Sequence, residues 1–140
     1  MDDIRIRYYS KTGNTKAVAN YISACLDTEA LEINNDDYDT ECGLLFLGGA
    51  PYANVMSSKL REYALNLNPY KVKAVALFTT SNWSKRTVRA LKKILREKNI
   101  FVFDEYLYVH MLKVNSSRDK AFNFAKDTLN KYHNRNKGTV

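Results

Sequence analysis

The hydrophobic positions of this chain switch period in a regular order. Ile4-Arg5-Ile6-Arg7-Tyr8-Tyr9 alternates β-branched and aromatic residues with charge, as a strand does. Val18, Tyr21, Ile22, Cys25 and Leu26 then recur at three- and four-residue steps, as on a helix with one buried face. Carried along the chain, this reading predicts strands over residues 4–9, 30–33, 44–48, 72–79 and 100–109. It predicts helices over 14–26, 55–67, 84–98 and 116–132. Leu44-Leu45-Phe46-Leu47 and Ala74-Val75-Ala76-Leu77-Phe78 are unbroken apolar runs, which strands covered on both faces require. Strand and helix alternating in this way predict an α/β fold, a parallel sheet with helices on both faces. Arg5 and Arg7 sit awkwardly in an interior first strand. Their heads are expected near an edge of the sheet, paired with acids or reaching water over buried stems.

Composition adds bounds to this picture. A chain of 140 residues, 45% of them hydrophobic, fits one domain over 1–140 with a proper core, and the polar residues 133–140 are expected to fray. No apolar run is long enough to cross a bilayer. Met1-Asp2-Asp3 is acidic where a signal peptide would be basic, so a cytoplasmic location without membrane insertion is expected. Cys25 and Cys42 stand in unrelated contexts and read as reduced, buried, small apolar residues. The formal charge of +7 is unevenly spread. Residues 27–41 hold seven acids and no base, whereas residues 85–98 hold seven bases against Glu97 alone. Such a stretch is either a solvated helix face or a surface that steers anionic substrates or an acidic partner. It lacks a motif for reading bases, so nucleic acid is not the expected partner.

The chemistry gathers in loops at the carboxyl ends of the predicted strands, where open parallel sheets bind ligands. The first, Ser10-Lys11-Thr12-Gly13-Asn14-Thr15, lies between a strand and the start of a helix. It surrounds unpaired helix N-terminal amides with hydroxyl and amide side chains, and its glycine permits close backbone approach. An ordinary capped turn needs only one or two such residues, and this denser set is chemically suited to a phosphate. Neither the nucleoside-triphosphate loop nor the dinucleotide fingerprint is present, and no acidic metal ligand stands in the loop, so a monophosphate held without metal is expected. The second loop contains Pro51-Tyr52-Ala53-Asn54, and the third, Thr79-Thr80-Ser81-Asn82-Trp83-Ser84, holds the single Trp of the protein. One aromatic in each of two loops beside a phosphate loop describes a pocket for a flat ring with a phosphate tail. No set of residues resembles a hydrolytic triad. His110 reads as a satisfied residue at a strand end and His133 as part of the tail.

This constellation resembles the flavodoxin family. Tyr9-Ser10-Lys11-Thr12-Gly13-Asn14-Thr15 matches its phosphate loop of hydroxyl-x-Thr-Gly-x-Thr after an apolar strand, and the order of elements matches from Ile4 to about Tyr132. The resemblance implies a three-layer open sheet of five parallel strands in order 2-1-3-4-5, in the short-chain form without a long insertion in the fifth strand. It implies FMN as the cofactor. Ser10, Lys11, Thr12, Gly13, Asn14 and Thr15 would hold the phosphate, Tyr52 after Pro51 would stack on one side of the ring, and Trp83 on the other. The Ala53-Asn54 peptide would lie near the flavin N5, where Asn54 tolerates positive φ. Thr79, Thr80, Ser81 and Asn82 would meet the pyrimidine edge. The implied role is electron transfer with a redox partner protein. Electron-carrier flavodoxins are strongly acidic, so this basic chain is expected to use a partner with an acidic docking face. The alternatives are a small FMN-dependent NAD(P)H:quinone-type reductase and a flavin-free module that binds through the basic face.

Overall fold

The computed structural model describes residues 3–33, 41–52 and 55–137. Five parallel strands form the sheet: β1 (Ile4–Tyr8), β2 (Ala30–Glu32), β3 (Cys42–Gly49), β6 (Val72–Ser81) and β7 (Leu107–His110), in the order β2-β1-β3-β6-β7. Counting only these strands, the order is the expected 2-1-3-4-5. A separate antiparallel hairpin pairs β4 (Pro51–Tyr52) with β5 (Val55–Met56). The helices are α1 (Asn14–Leu26), α2 (Ser58–Asn66), α3 (Arg86–Glu97) and α4 (Arg118–Lys137), with a 3₁₀ turn at Met111–Ser116.

The side-chain alternation of the strands builds two cores. Ile6, Tyr8, Leu44, Phe46, Ala76 and Phe78 point to one face and pack with Val18, Ala19 and Ile22 of α1 and Ala121 and Ala125 of α4. Leu45, Leu47, Val75 and Leu77 point to the other and pack with Leu60 and Ala64 of α2 and Leu91 and Leu95 of α3. Every residue of β3 is buried, as its unbroken apolar run requires. Each fully buried Leu or Phe here contributes about 1.5–3 kcal/mol over its exposed state. Gly48 and Gly49 at the end of β3 are packing glycines: a Cβ at Gly48 would lie 2.1 Å from the Phe78 ring, and one at Gly49 would lie 2.3 Å from Leu60.

Interior placement of β1 answers the question its arginines raise. Arg7 is buried and donates from Nη1 to the Ile6 carbonyl at 3.0 Å. With Arg5 it lies within electrostatic range of Cys42, at the amino end of the neighbouring strand. Burial pushes the Cys42 thiol up to about 12, Asp3 adds to the rise, and the two arginines oppose it.

Four elements depart from the sequence expectation. The fourth sheet strand runs on to Ser81, so Thr79, Thr80 and Ser81, expected in the third loop, pair with Tyr108, Val109 and His110 of β7. The predicted helix over 55–67 starts late, because Val55 and Met56 pair back onto Tyr52 and Pro51. Ser57 then caps α2 by accepting from the Lys59 N–H at 3.2 Å. The fifth strand is interrupted: Val102 bridges Val75 and pairing resumes only at Leu107 with Phe78, five residues against three. The surplus bulges outward, with Asp104 bonded to Arg96 of α3 at 2.5 Å and Glu105 to Lys131 of α4 at 2.9 Å. The last helix runs on to Lys137, five residues past its predicted end, because Arg135 covers the face of Phe101 at 3.9 Å.

Candidate functional site

The first loop is shaped by its own side chains. Gly13 adopts φ 92°, a left-handed conformation that glycine takes readily, and its N–H donates to Ser10 Oγ at 3.0 Å. Gly13 stands at the N-cap of α1, where no side chain caps the helix and no acidic residue occupies the first turn. The positive end of a four-turn helix is therefore open to an anion. Thr15, one residue inside the helix, is buried and shares a hydrogen bond of 2.8 Å with Thr80 Oγ1 on β6. That bond ties the phosphate-type loop to the third loop across the sheet end.

Beside this helix start lies a cleft of about 320 Å³. Thr12 lines it from the first loop and Asn14 from the start of α1, Ala50 and Pro51 from the end of β3 and the hairpin, Thr80 and Ser81 from the end of β6, and Asn82 and Ser84 from the loop after it. Met111 closes one side from the turn after β7. Its size falls within the range of small-molecule sites, and its donors are neutral hydroxyls and amides plus the helix end. The residues present thus fit a phosphate-bearing ligand. Among the described residues no group of three His, Cys, Asp or Glu could hold a metal ion.

A sheet of order 2-1-3-4-5 with all three ligand loops at its carboxyl end matches known structures. The chain has the flavodoxin fold. It resembles a flavodoxin from the domain Archaea with a TM-score of 0.79 and 20% identity, covering 95% of this chain and 99% of that one. It resembles oxidised flavodoxin 2 from Bacillus cereus with a TM-score of 0.74 and 21% identity, covering 92% and 99%. A short-chain flavodoxin associated with a bacterial microcompartment matches at 0.75 and 14%, covering 94% and 99%. No protein-family model and no curated protein sequence matches the chain.

Within this flavodoxin-type sheet the residues anticipated for the site divide into groups. Thr12, Asn14, Pro51, Thr80, Ser81 and Asn82 line the cleft together. Ser10 and Gly13 shape the loop, Thr15 braces it from beneath, and Lys11 is exposed outside the lining. Thr79 is fully buried, its hydroxyl without a hydrogen-bond partner among the described residues, on the α3 face of the sheet. Tyr52 enters the hairpin by its backbone pairing with Val55, and Ala53 and Asn54 lie outside the described residues.

Trp83 is placed differently from the ring-stacking position that the resemblance implies. It adopts φ 71°, is 74% exposed, and turns toward β7 rather than into the cleft. Its N–H donates to Tyr108 Oη at 2.7 Å, and Tyr108 Oη donates to the Ser81 carbonyl at 3.0 Å. The indole stacks on Tyr108 (centroids 6.2 Å, 23°) and meets the edge of His110 at 4.9 Å. Both nitrogens of His110 are engaged, as expected of a satisfied strand-end residue. Nδ1 accepts from the Leu112 N–H at 3.1 Å, which leaves the proton on Nε2 to donate to Asn82 Oδ1 at 3.0 Å. Met111 and Ser84 were not legible as lining residues. Met111 follows a strand whose end could not be fixed from the period, so its place beside the first loop depends on the register of β7.

Proposed function

We propose that the cleft binds FMN noncovalently and that the protein passes electrons between a donor and a partner protein. The observation that carries this reading is the uncapped N-terminus of α1, with Thr12 and Asn14 on a cleft to which all three loops of a flavodoxin-type sheet contribute. The similar structures named flavodoxins support it. When bound, the flavin supplies electron-transfer chemistry that no side chain of the protein can. The chain's own residues hold and orient it. Thr12, Asn14 and the first-turn amides receive the phosphate. Pro51 stiffens the entry to the hairpin, and the Asn82–His110 bond fixes the third loop from behind. Tyr52 serves as the stacking aromatic in this reading.

The proposed partner presents an acidic face. Lys85 at the N-cap of α3 and Arg86, Arg89 and Lys93 along it are exposed, and α3 starts two residues after cleft residue Ser84. The position of these charges supports steering of a negative surface toward the cleft rim. The decisive experiment adds excess FMN to the purified protein, removes what is free, and records the visible spectrum. One retained FMN per chain with perturbed flavin bands is the expected result. A colourless protein would exclude the flavin and leave binding through the basic face as the function.

A further inference from the structure

A second cavity, of about 480 Å³, lies on the far side of the third loop from the cleft. Its lining includes Trp83, Tyr108, His110, Leu112, Lys113 and Lys120. No acidic residue among the described residues lines it. The hydrogen bond from His110 to Asn82 spans the partition, since Asn82 belongs to the cleft and His110 to this cavity. Trp83 holds a left-handed backbone that bulky residues rarely adopt, in a loop without glycine, and leaves most of its indole in water. The Tyr108 hydroxyl fixes that arrangement by accepting from the Trp83 N–H and donating to the Ser81 carbonyl. Leu112, 85% exposed, extends the apolar wall. Lys120 is anchored by a bond of 2.5 Å to the Tyr108 carbonyl, which keeps its ammonium group beside the Tyr108 ring.

We infer that this cavity is a binding site for a planar aromatic anion, separate from the cleft. The ligand's ring lies along the Trp83–Tyr108–Leu112 wall, and its carboxylate, sulfonate or phosphate is met by Lys113 and Lys120. An exposed aromatic held by its backbone in a cavity that two cations also line suits such a ligand. The inference goes beyond the FMN reading and does not depend on it.

The test uses ¹⁵N-labelled protein, in which Trp83 gives the only indole N–H resonance. 2-Naphthoate is titrated with and without saturating FMN, alongside the neutral 2-naphthalenemethanol. The expected result is a saturable shift of the indole resonance by naphthoate, with the same affinity in the presence of FMN. The neutral probe should bind about tenfold more weakly, and so should naphthoate to the Lys113→Ala and Lys113→Ala/Lys120→Ala variants, with FMN binding unchanged. Equal affinity for the two probes would reduce the cavity to an apolar patch, and no shift would remove the site. Displacement of naphthoate by FMN would assign the cavity to the cofactor and overturn its separateness. Failure of FMN binding alone would leave the titration intact, so the two readings fail independently.

Discussion

Thr12 and Thr15 stand three residues apart in one loop, and the structure gives them different work. Thr15 is buried with its hydroxyl on Thr80, so replacing it by Val leaves the Thr80 hydroxyl without its partner in the sheet end. Thr15→Val should cost about 1–3 kcal/mol in urea denaturation. Thr15→Val/Thr80→Val should recover most of that loss, because an apolar pair replaces a hydrogen-bonded one. Additive losses in the cycle would show that the bond contributes nothing of its own. Thr12 is exposed on the cleft wall. Thr12→Val should leave stability within about 0.5 kcal/mol and weaken FMN binding about tenfold. A Thr12→Val protein that binds FMN as tightly as the parent would place the phosphate elsewhere.

At the scale of elements, the amino end of β3 offers a contrast between two cysteines. Cys25 on α1 is half-buried and Cys42 is buried, with burial holding its thiol near 12. At pH 8 the thiolate fraction of Cys42 is then about a thousandfold below that of an ordinary thiol, and alkylation followed by mass spectrometry should label Cys25 well before Cys42. Comparable rates at both would contradict the dry environment assigned to β3. The sign for stability follows: the folded state keeps a proton that the unfolded chain releases near pH 9, so this contribution is present below that pH and is lost as pH rises toward 12. The sheet and its helices were legible because Leu44–Leu47 and Ala74–Phe78 are too apolar for anything but doubly covered strands, and Val18–Ile22 has a helical period. The hairpin was not, since two-residue strands show no period and Val55 and Met56 extend the apolar pattern of α2 backward. The break in the fifth strand was hidden by an apolar run through Phe101 and Phe103. Of the site, the first loop was readable from its hydroxyls and glycine. The direction of Trp83 was not, because a bond to Tyr108, 25 residues away, sets its backbone.

For the molecule as a whole, ligand and charge are the two levers. A ligand that binds only the folded state at one hundred times its dissociation constant adds about 2.7 kcal/mol, which for a chain of this size raises the melting temperature by roughly 8 °C. FMN should produce that shift and riboflavin, which lacks the phosphate, should produce a much smaller one. Equal shifts would move the binding energy from the first loop to the ring. The charge lever acts on rates. The +7 chain carries exposed Lys85, Arg86, Arg89 and Lys93 at and after the start of α3, beside the cleft, and their field at the rim extends roughly 30 Å at 0.01 M salt and about 8 Å at 0.15 M. Oxidation of the reduced FMN protein by ferricyanide, an anion, should therefore slow several-fold across that range, while oxidation by hexaammineruthenium, a cation, should quicken. Lys85→Glu/Arg89→Glu removes four units of charge, +7 − 4 = +3, and should flatten or invert both trends without altering FMN affinity. Two small oxidants of opposite sign isolate the field at the cleft from any shape fit to a protein partner. If neither rate responds to salt, the basic face of α3 does not govern encounter at the cleft, and an acidic partner would have no electrostatic reason to dock there.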